Sequence, residues 1–138
     1  MLTDGQGVPI GLAVAGANRH DMKLVRETLD SIIVVRPEPT AAQPQGLCLD
    51  KGYDYAEVRD TVAEFGFTAH IRARGEEAHA IKREAGFRAR RWVVERTHSW
   101  MNRFRRVLIR WDKKPENYLA FLHFACALIA LRASGLIG

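Results

Sequence analysis

The chain has 138 residues, of which 47% are hydrophobic and 27% are charged, and its formal net charge at pH 7 is +5. A chain of this size can bury one core, and its composition excludes the intrinsically disordered and fibrous classes. The longest uncharged apolar run, from Tyr118 to Leu131, has 14 residues, whereas a membrane-spanning helix needs about 20. With no charged leader before an apolar stretch, the sequence predicts one soluble, cytoplasmic domain without a membrane partner.

A hairpin is the first predicted element. The segment Asp4-Gly5-Gln6-Gly7 has the composition of a tight turn, and it separates residues 1–3 from an apolar strand over residues 8–16. A first arm of only three residues is short for a complete hairpin, which predicts that the chain is cut from a longer structure.

A helix and a buried strand are expected next. Asp21 can cap a helix whose apolar face repeats every 3.6 positions, formed by Leu24, Val25, Thr28, Leu29 and Ile32. After a proline-rich linker, residues 46–50 form a short apolar run that ends at Asp50 and predicts a buried strand. Open α/β sheets place their sites at the carboxyl ends of strands, so Asp50 is a candidate functional residue.

The middle of the chain predicts a helix, a strand and a charged connection. Asp54 and Glu57 form a helix-start signal close to the capping box, and Gly66 is placed as a C-cap. Residues 67–74 alternate between apolar and polar side chains, which is typical of a half-buried strand. Residues 75–89 are charged and interrupted by glycines, and they predict a loop or a weak helix.

Two helices are predicted in the C-terminal third. A helix over residues 90–105 has two different faces: one holds Val93, Thr97, Trp100 and Phe104, and the other holds Arg91, Glu95, His98, Asn102 and Arg105. A second helix over residues 115–133 begins with a proline and is apolar nearly all round. Such a helix is buried in a core or against a partner subunit, and a core is the simpler interpretation.

The positive charge is concentrated in one region. Residues 72–114 hold 14 of the 21 Lys and Arg and only five acids, which gives this region +9 and leaves −4 elsewhere. A solvated charged face is the commoner reason for such a run. Here the aromatic residues within it favour nucleic acid, namely Trp92, Trp100, Phe104 and Trp111. Trp92 or Trp100 could stack on a base, although core packing is the simpler role for both.

The two cysteines carry no functional signal. Cys48 and Cys126 lie far apart in apolar contexts, and neither belongs to a Cys/His cluster with zinc-binding spacing. Both are therefore predicted to be reduced residues of the core.

Two carboxylates carry the candidate chemistry. Glu95 would lie outward among cations, a setting that suits either ion pairs or a metal site beside a phosphate backbone. Together with the strand-end Asp50 it could bind Mg²⁺ or Mn²⁺ and activate a water or hydroxyl against a phosphodiester. Such sites usually need a third carboxylate, and the sequence offers no convincing one.

Several motifs resemble the DDE transposases of bacterial insertion sequences. They are Asn18-Arg19-His20-Asp21, Leu49-Asp50-Lys51-Gly52-Tyr53-Asp54, the run from Arg91 to Trp100 that contains Val94-Glu95-Arg96, and Arg103-Phe104-Arg105-Arg106. The resemblance covers essentially the whole chain, so residues 1–138 are identified as one truncated DDE catalytic domain. It implies an α/β, ribonuclease-H-like fold, a mixed sheet flanked by helices, here without its first central strand.

The resemblance also implies roles for particular residues. Asp50 would be the second acid and Glu95 the third acid of a triad that binds two divalent metal ions, Mg²⁺ or Mn²⁺. The first aspartate of the family lies on the missing strand, and Asp4, Asp21 and Asp54 do not replace it. The residues expected to bind DNA are Arg91, Arg96, His98, Asn102, Arg103, Arg105 and Arg106.

Two positions depart from the family pattern. Asn102 stands where related groups carry a lysine, and Arg88 stands where they carry a tyrosine. Arg103 or Arg105 is the alternative for the phosphate contact.

The implied function is metal-dependent cleavage of transposon ends followed by strand transfer into target DNA. The implied partners are DNA, further copies of the transposase in the active complex and an upstream-frame half of the protein, in the nucleoid of the cytoplasm. Two alternatives remain open from the sequence. The chain could be a catalytically incomplete DNA-binding fragment that modulates a full-length transposase, or an inactive relic.

Overall fold

The computed structural model describes residues 1–16, 18–71 and 91–136, without the side chains of Asp21 and Arg91. In chain order its elements are β1 (Leu2–Thr3), β2 (Pro9–Gly11), a 3-10 helix (Asp21–Leu24) that continues as α1 (Val25–Asp30), β3 (Gln45–Leu49), a second 3-10 helix (Lys51–Tyr53), α2 (Ala56–Glu64), β4 (Phe67–Ile71), α3 (Arg91–Met101), α4 (Arg105–Leu108) and α5 (Pro115–Ala133). Residues 72–74 of the predicted strand, the predicted connection over residues 75–89 and Arg88 lie outside the described residues.

The described strands form two separate small sheets. β1 and β2 are antiparallel, whereas β3 and β4 are parallel, with Gln45 opposite Phe67 and Leu49 opposite Ile71. The predicted α/β class is confirmed, and the arrangement of small sheets and helices is compatible with a ribonuclease-H-like fold.

The predicted hairpin is present, but its second strand is shorter than residues 8–16. Asp4 organises the turn, because its carboxylate accepts hydrogen bonds from the backbone N–H groups of Gln6 at 2.8 Å and Val8 at 2.9 Å. β2 ends at Gly11, and the N–H of Leu12 donates instead to Ser31 Oγ at 2.7 Å. Leu12 therefore bonds to the end of α1, and the pairing of β2 with β1 does not continue past Gly11.

The two predicted N-caps, Asp21 and Asp54, are wrong. The helix near residue 20 has His20 at its N-cap without a side-chain bond, and Asp21 lies inside the first turn. The N-cap of α2 is Tyr55, while Asp54 forms an ion pair with Arg59 at 2.7 Å. A side-chain partner only five residues along the chain explains why Asp54 does not cap α2.

Two apolar clusters make up the described core. The first joins α1, α2 and β3 through Val25, Leu29, Leu47, Val58 and Val62. The second joins α3 and α5 through Met101, Leu122, Ala125 and Ile129. The hairpin contributes to both, because Leu2 packs against the first cluster while Met1 and Leu12 pack against the second.

The predicted helix over residues 90–105 is broken. α3 ends at Met101, and Phe104 has an extended backbone with φ −91° and ψ 100° before α4 begins. The side chain of Phe104 packs against the second cluster, so the local helical preference yields to a tertiary contact.

The final helix was predicted with its observed bounds, residues 115–133. Its burial is one-sided: Leu122, Ala125 and Ile129 face the core, whereas Phe124 is 62% exposed. The expectation of a core helix is therefore confirmed for one face. Within the described ranges, no helix has both the length and the apolar character needed to cross a bilayer.

The prediction that both cysteines are core residues is wrong for Cys48. In β3 the side chains of Leu47 and Leu49 face the first cluster, so the alternation of the strand turns Cys48 outward. Cys126 is half-buried.

Iodoacetamide is expected to alkylate Cys48 well before Cys126 at neutral pH. Burial raises the pKa of the Cys126 thiol, so less of the reactive thiolate is present there. Peptide mass spectrometry of a time course would measure both rates. Cys48→Ser is the control that isolates the alkylation rate of Cys126. Equal rates for the two cysteines in the folded chain would contradict the burial of Cys126.

Candidate metal and DNA site

Asp50 lies where β3 ends. It is the N-cap of the 3-10 helix Lys51–Tyr53, and its carboxylate accepts a hydrogen bond from the N–H of Gly52 at 3.3 Å. The side chain is exposed. The apolar run that pairs with β4 thus delivers a carboxylate to solvent at the carboxyl end of a parallel strand, the position that the sequence predicted.

Glu95 lies on the outer face of α3. Val93, Thr97 and Met101 are 4%, 0% and 5% exposed, so the helical period turns Glu95 and His98 to solvent. The two faces are therefore confirmed within α3, while Asn102, Phe104 and Arg105 of the predicted faces lie beyond its end.

The buried face of α3 is fastened to the hairpin turn. Thr97 is fully buried, and its hydroxyl lies 2.7 Å from the carbonyl oxygen of Gly7 and 3.0 Å from that of Val93. Gly7 has a φ of 86°, and a Cβ there would lie 3.0 Å from Thr97 Oγ1. The contact fixes which face of α3 turns outward, and with it the direction of Glu95.

Arg96 lies between two tryptophans. Its guanidinium carbon is 4.6 Å from the ring centroid of Trp92 and 5.0 Å from that of Trp100, and the guanidinium donates to the carbonyl oxygen of Gln6. Sequence reasoning treated Arg96 only as a DNA ligand and missed this stack. The spacing of the three residues, four apart on one helix, is the signal that could have revealed it.

The other residues predicted to bind DNA are mostly exposed. His98, Asn102, Arg103, Arg105 and Arg106 all reach solvent, from the outer face of α3 to α4. The guanidinium of Arg106 also lies over the ring of Phe121 at 4.7 Å. The side chain of Arg91 is outside the described residues.

Residues 1–130 match the family model described as Transposase DDE domain. The chain belongs to this family of insertion-sequence transposases. It is also 33% identical over 131 residues to a Burkholderia cepacia protein assigned as a transposase for insertion sequence element IS402. That match covers 94% of this chain but 60% of the relative, so the chain spans about 60% of the relative's length. No solved structure matches the chain.

In this DDE transposase domain the hairpin links the elements that carry the two acids. Gly11 lies against α1, since a Cβ there would be 2.8 Å from the Thr28 carbonyl oxygen, and Gly7 lies against α3. α1 shares the first cluster with β3, the strand that ends at Asp50. Within residues 1–16, 18–71 and 91–136, no three His, Cys, Asp or Glu side chains are grouped to hold a metal ion.

Proposed function

We propose that this chain is the C-terminal catalytic portion of an insertion-sequence transposase, with Asp50 and Glu95 as the second and third acids of its triad. The observation that carries the proposal is that a chain matched over residues 1–130 to the Transposase DDE domain turns both carboxylates to solvent, one at a strand end and one on a helix.

The two side chains suit Mg²⁺ or Mn²⁺. Carboxylate oxygens are the hard ligands that these ions prefer, and Mg²⁺ is commonly held by one or two carboxylates with waters completing its shell. A bound ion would supply Lewis acidity for the attack of a water or a 3′-hydroxyl on a phosphodiester. Asp50 and Glu95 would hold the metal ion in place. The buried contact between Thr97 and Gly7 supports the orientation of Glu95.

The exposed cations would bind the DNA of the transposon ends and of the target. Arg103, Arg105 and Arg106 lie at the end of α3 and on α4, where they can neutralise phosphates without reading sequence. Arg91 and Arg96 belong to the same proposal, although the guanidinium of Arg96 already contacts the hairpin. His98 and Asn102 add hydrogen-bonding groups to this face.

The first central strand is proposed to come from a part of the transposase outside these 138 residues. A cavity of about 270 Å³ is lined by β1 and β3, one strand from each sheet, and by α1. Its walls are mostly apolar, with Leu2, Val25, Leu29, Leu47 and Leu49 among them. An extended segment placed there would pair with both strands, join the two sheets into one mixed sheet and bring the first aspartate.

Further copies of the chain are proposed as partners in the active complex. The face of α5 opposite the core and the C-terminal residues beyond it expose apolar side chains, with Phe124 at 62%, Leu131 at 37% and Leu136 at 79%. Exposed apolar groups of this kind support a protein contact.

The decisive experiment joins the chain to its upstream part. Fused or co-expressed, the two parts are expected to cleave transposon-end DNA with Mg²⁺ or Mn²⁺, and not with EDTA. The matched control is the 138-residue chain alone, which we expect to bind DNA without cleaving it. A complete protein that binds the ends yet never cleaves with either metal would overturn the catalytic proposal and favour a non-enzymatic DNA-binding role.

A further inference from the structure

The segment between α4 and α5 presents a tryptophan to solvent. Trp111 is 68% exposed, compared with 47% for Trp92, and Trp100 is partly buried. Trp92 and Trp100 both contact Arg96. Trp111 is therefore the tryptophan whose indole face is most available to a ligand, although sequence reasoning considered only the other two for base stacking.

Contacts on either side of Trp111 hold its segment in place. The guanidinium of Arg110 lies 5.4 Å from the ring centroid of Tyr118 on α5, and its Nε donates to the carbonyl oxygen of Asp112 at 3.2 Å. The hydroxyl of Tyr118 in turn donates to the carbonyl oxygen of Val107 at 3.1 Å. Both neighbours of Trp111 therefore take part in contacts that anchor the backbone of this segment near α5.

The charge around Trp111 is arranged for an anion. The side chain of Asp112 is only 14% exposed and lies 3.9 Å from Arg106, so the acid of this segment is turned inward. Arg110, Lys113 and Lys114 are exposed. An exposed indole with cations one residue before it and two and three residues after it matches the alternation of base and phosphate in a nucleic acid strand.

We propose that Trp111 stacks on an unpaired base of bound DNA while the neighbouring cations hold the adjacent phosphates. This site deepens the proposed function and rests on it. A paired base is covered on both faces by its neighbours in the duplex, so a single indole needs a base that has left the stack. The flanking charge favours DNA over an apolar protein surface as the occupant.

The test measures the affinity of the 138-residue chain for two DNA duplexes, one fully paired and one with a single unpaired base. We expect tighter binding to the second. Trp111→Ala should weaken that binding by about 5- to 100-fold, and Trp111→Tyr should retain most of it, because the energy comes from an aromatic face. Leu108→Ala is the matched control, since Leu108 is an exposed apolar residue nearby, at 57%, and should change little.

Two further readouts separate stacking from charge. With 2-aminopurine at the unpaired position, the wild-type chain should quench its fluorescence and Trp111→Ala should not. The salt dependence of binding should keep its slope in Trp111→Ala and lose about one unit in Lys113→Gln, because only the second removes a phosphate contact.

The outcomes are distinguishable. If Trp111→Ala binds both duplexes as the wild type does, the stacking site is wrong while DNA binding stands. If the change abolishes self-association or binding to an acidic protein but not to DNA, Trp111 belongs to a protein interface and the inference is overturned. If the wild-type chain binds no DNA at low salt, the proposed DNA contacts are wrong, and the stacking site that rests on them is wrong as well.

Discussion

Asp50→Asn and Glu95→Gln should each abolish Mg²⁺-dependent cleavage by the complete transposase, with a rate at least about 10³-fold lower. Each change keeps the shape of the side chain and removes its negative charge, and a metal-stabilised transition state depends on that charge by several kcal/mol. Asparagine also caps helices as well as aspartate does, so the hydrogen bond from Gly52 to residue 50 survives. Loss of activity would therefore not come from loss of the local fold.

The measurement is single-turnover cleavage of an end-labelled transposon-end duplex as Mg²⁺ is varied. Asp60→Asn is the control, because Asp60 is an exposed acid on α2, and it should cleave as the wild type does. The free energy of unfolding of both site variants should lie within about 0.5 kcal/mol of the wild-type value, as is usual for substitutions at exposed positions. Wild-type cleavage rates in either site variant would remove that residue from the proposed metal site.

The positions of the two acids could be predicted because local patterns determine them. The apolar run before Asp50 is short and ends at a charged residue, so both the strand and the position of Asp50 at its end were predictable from the local sequence. Glu95 follows from the helical period alone, since Val93 and Thr97 on the same helix are buried. Neither inference needed knowledge of distant contacts.

What could not be predicted depends on contacts between distant residues. β2 stops at Gly11 because the N–H of Leu12 donates to the hydroxyl oxygen of Ser31, 19 positions along the chain. The exposure of the three tryptophans could likewise not be ranked in advance, because the burial of Trp100 and the exposure of Trp111 follow from how α5 packs on α3 and α4.

The hairpin is the part of the fold on which the orientation of Glu95 depends. It contacts α1 through Gly11 and α3 through Gly7, and each contact is too close for a side chain without movement. A disturbance of the turn should therefore act on α3 as well as on the hairpin itself.

Gly7→Ala is expected to lower the free energy of unfolding of the 138-residue chain by about 1–3 kcal/mol, measured by urea denaturation. A φ of 86° is strained for any residue with a Cβ, and that Cβ would lie 3.0 Å from the buried Thr97 hydroxyl. Gly5→Ala is the control in the same turn, because nothing lies within 4 Å of a Cβ at Gly5 and the φ of Gly5 is not positive. It should change stability by less than about 0.5 kcal/mol.

In the complete transposase, Gly7→Ala should also slow cleavage at a temperature where the variant is still folded, whereas Gly5→Ala should not. The expected cause is rotation of α3 as the bond from Thr97 to Gly7 is stretched, which would move Glu95. Thr97→Val, which removes that bond without touching the turn, should reproduce the loss, and Thr97→Ser, which keeps the hydroxyl, should recover most of it. If Gly7→Ala were as stable and as active as Gly5→Ala, the hairpin would not be what orients the helix of Glu95.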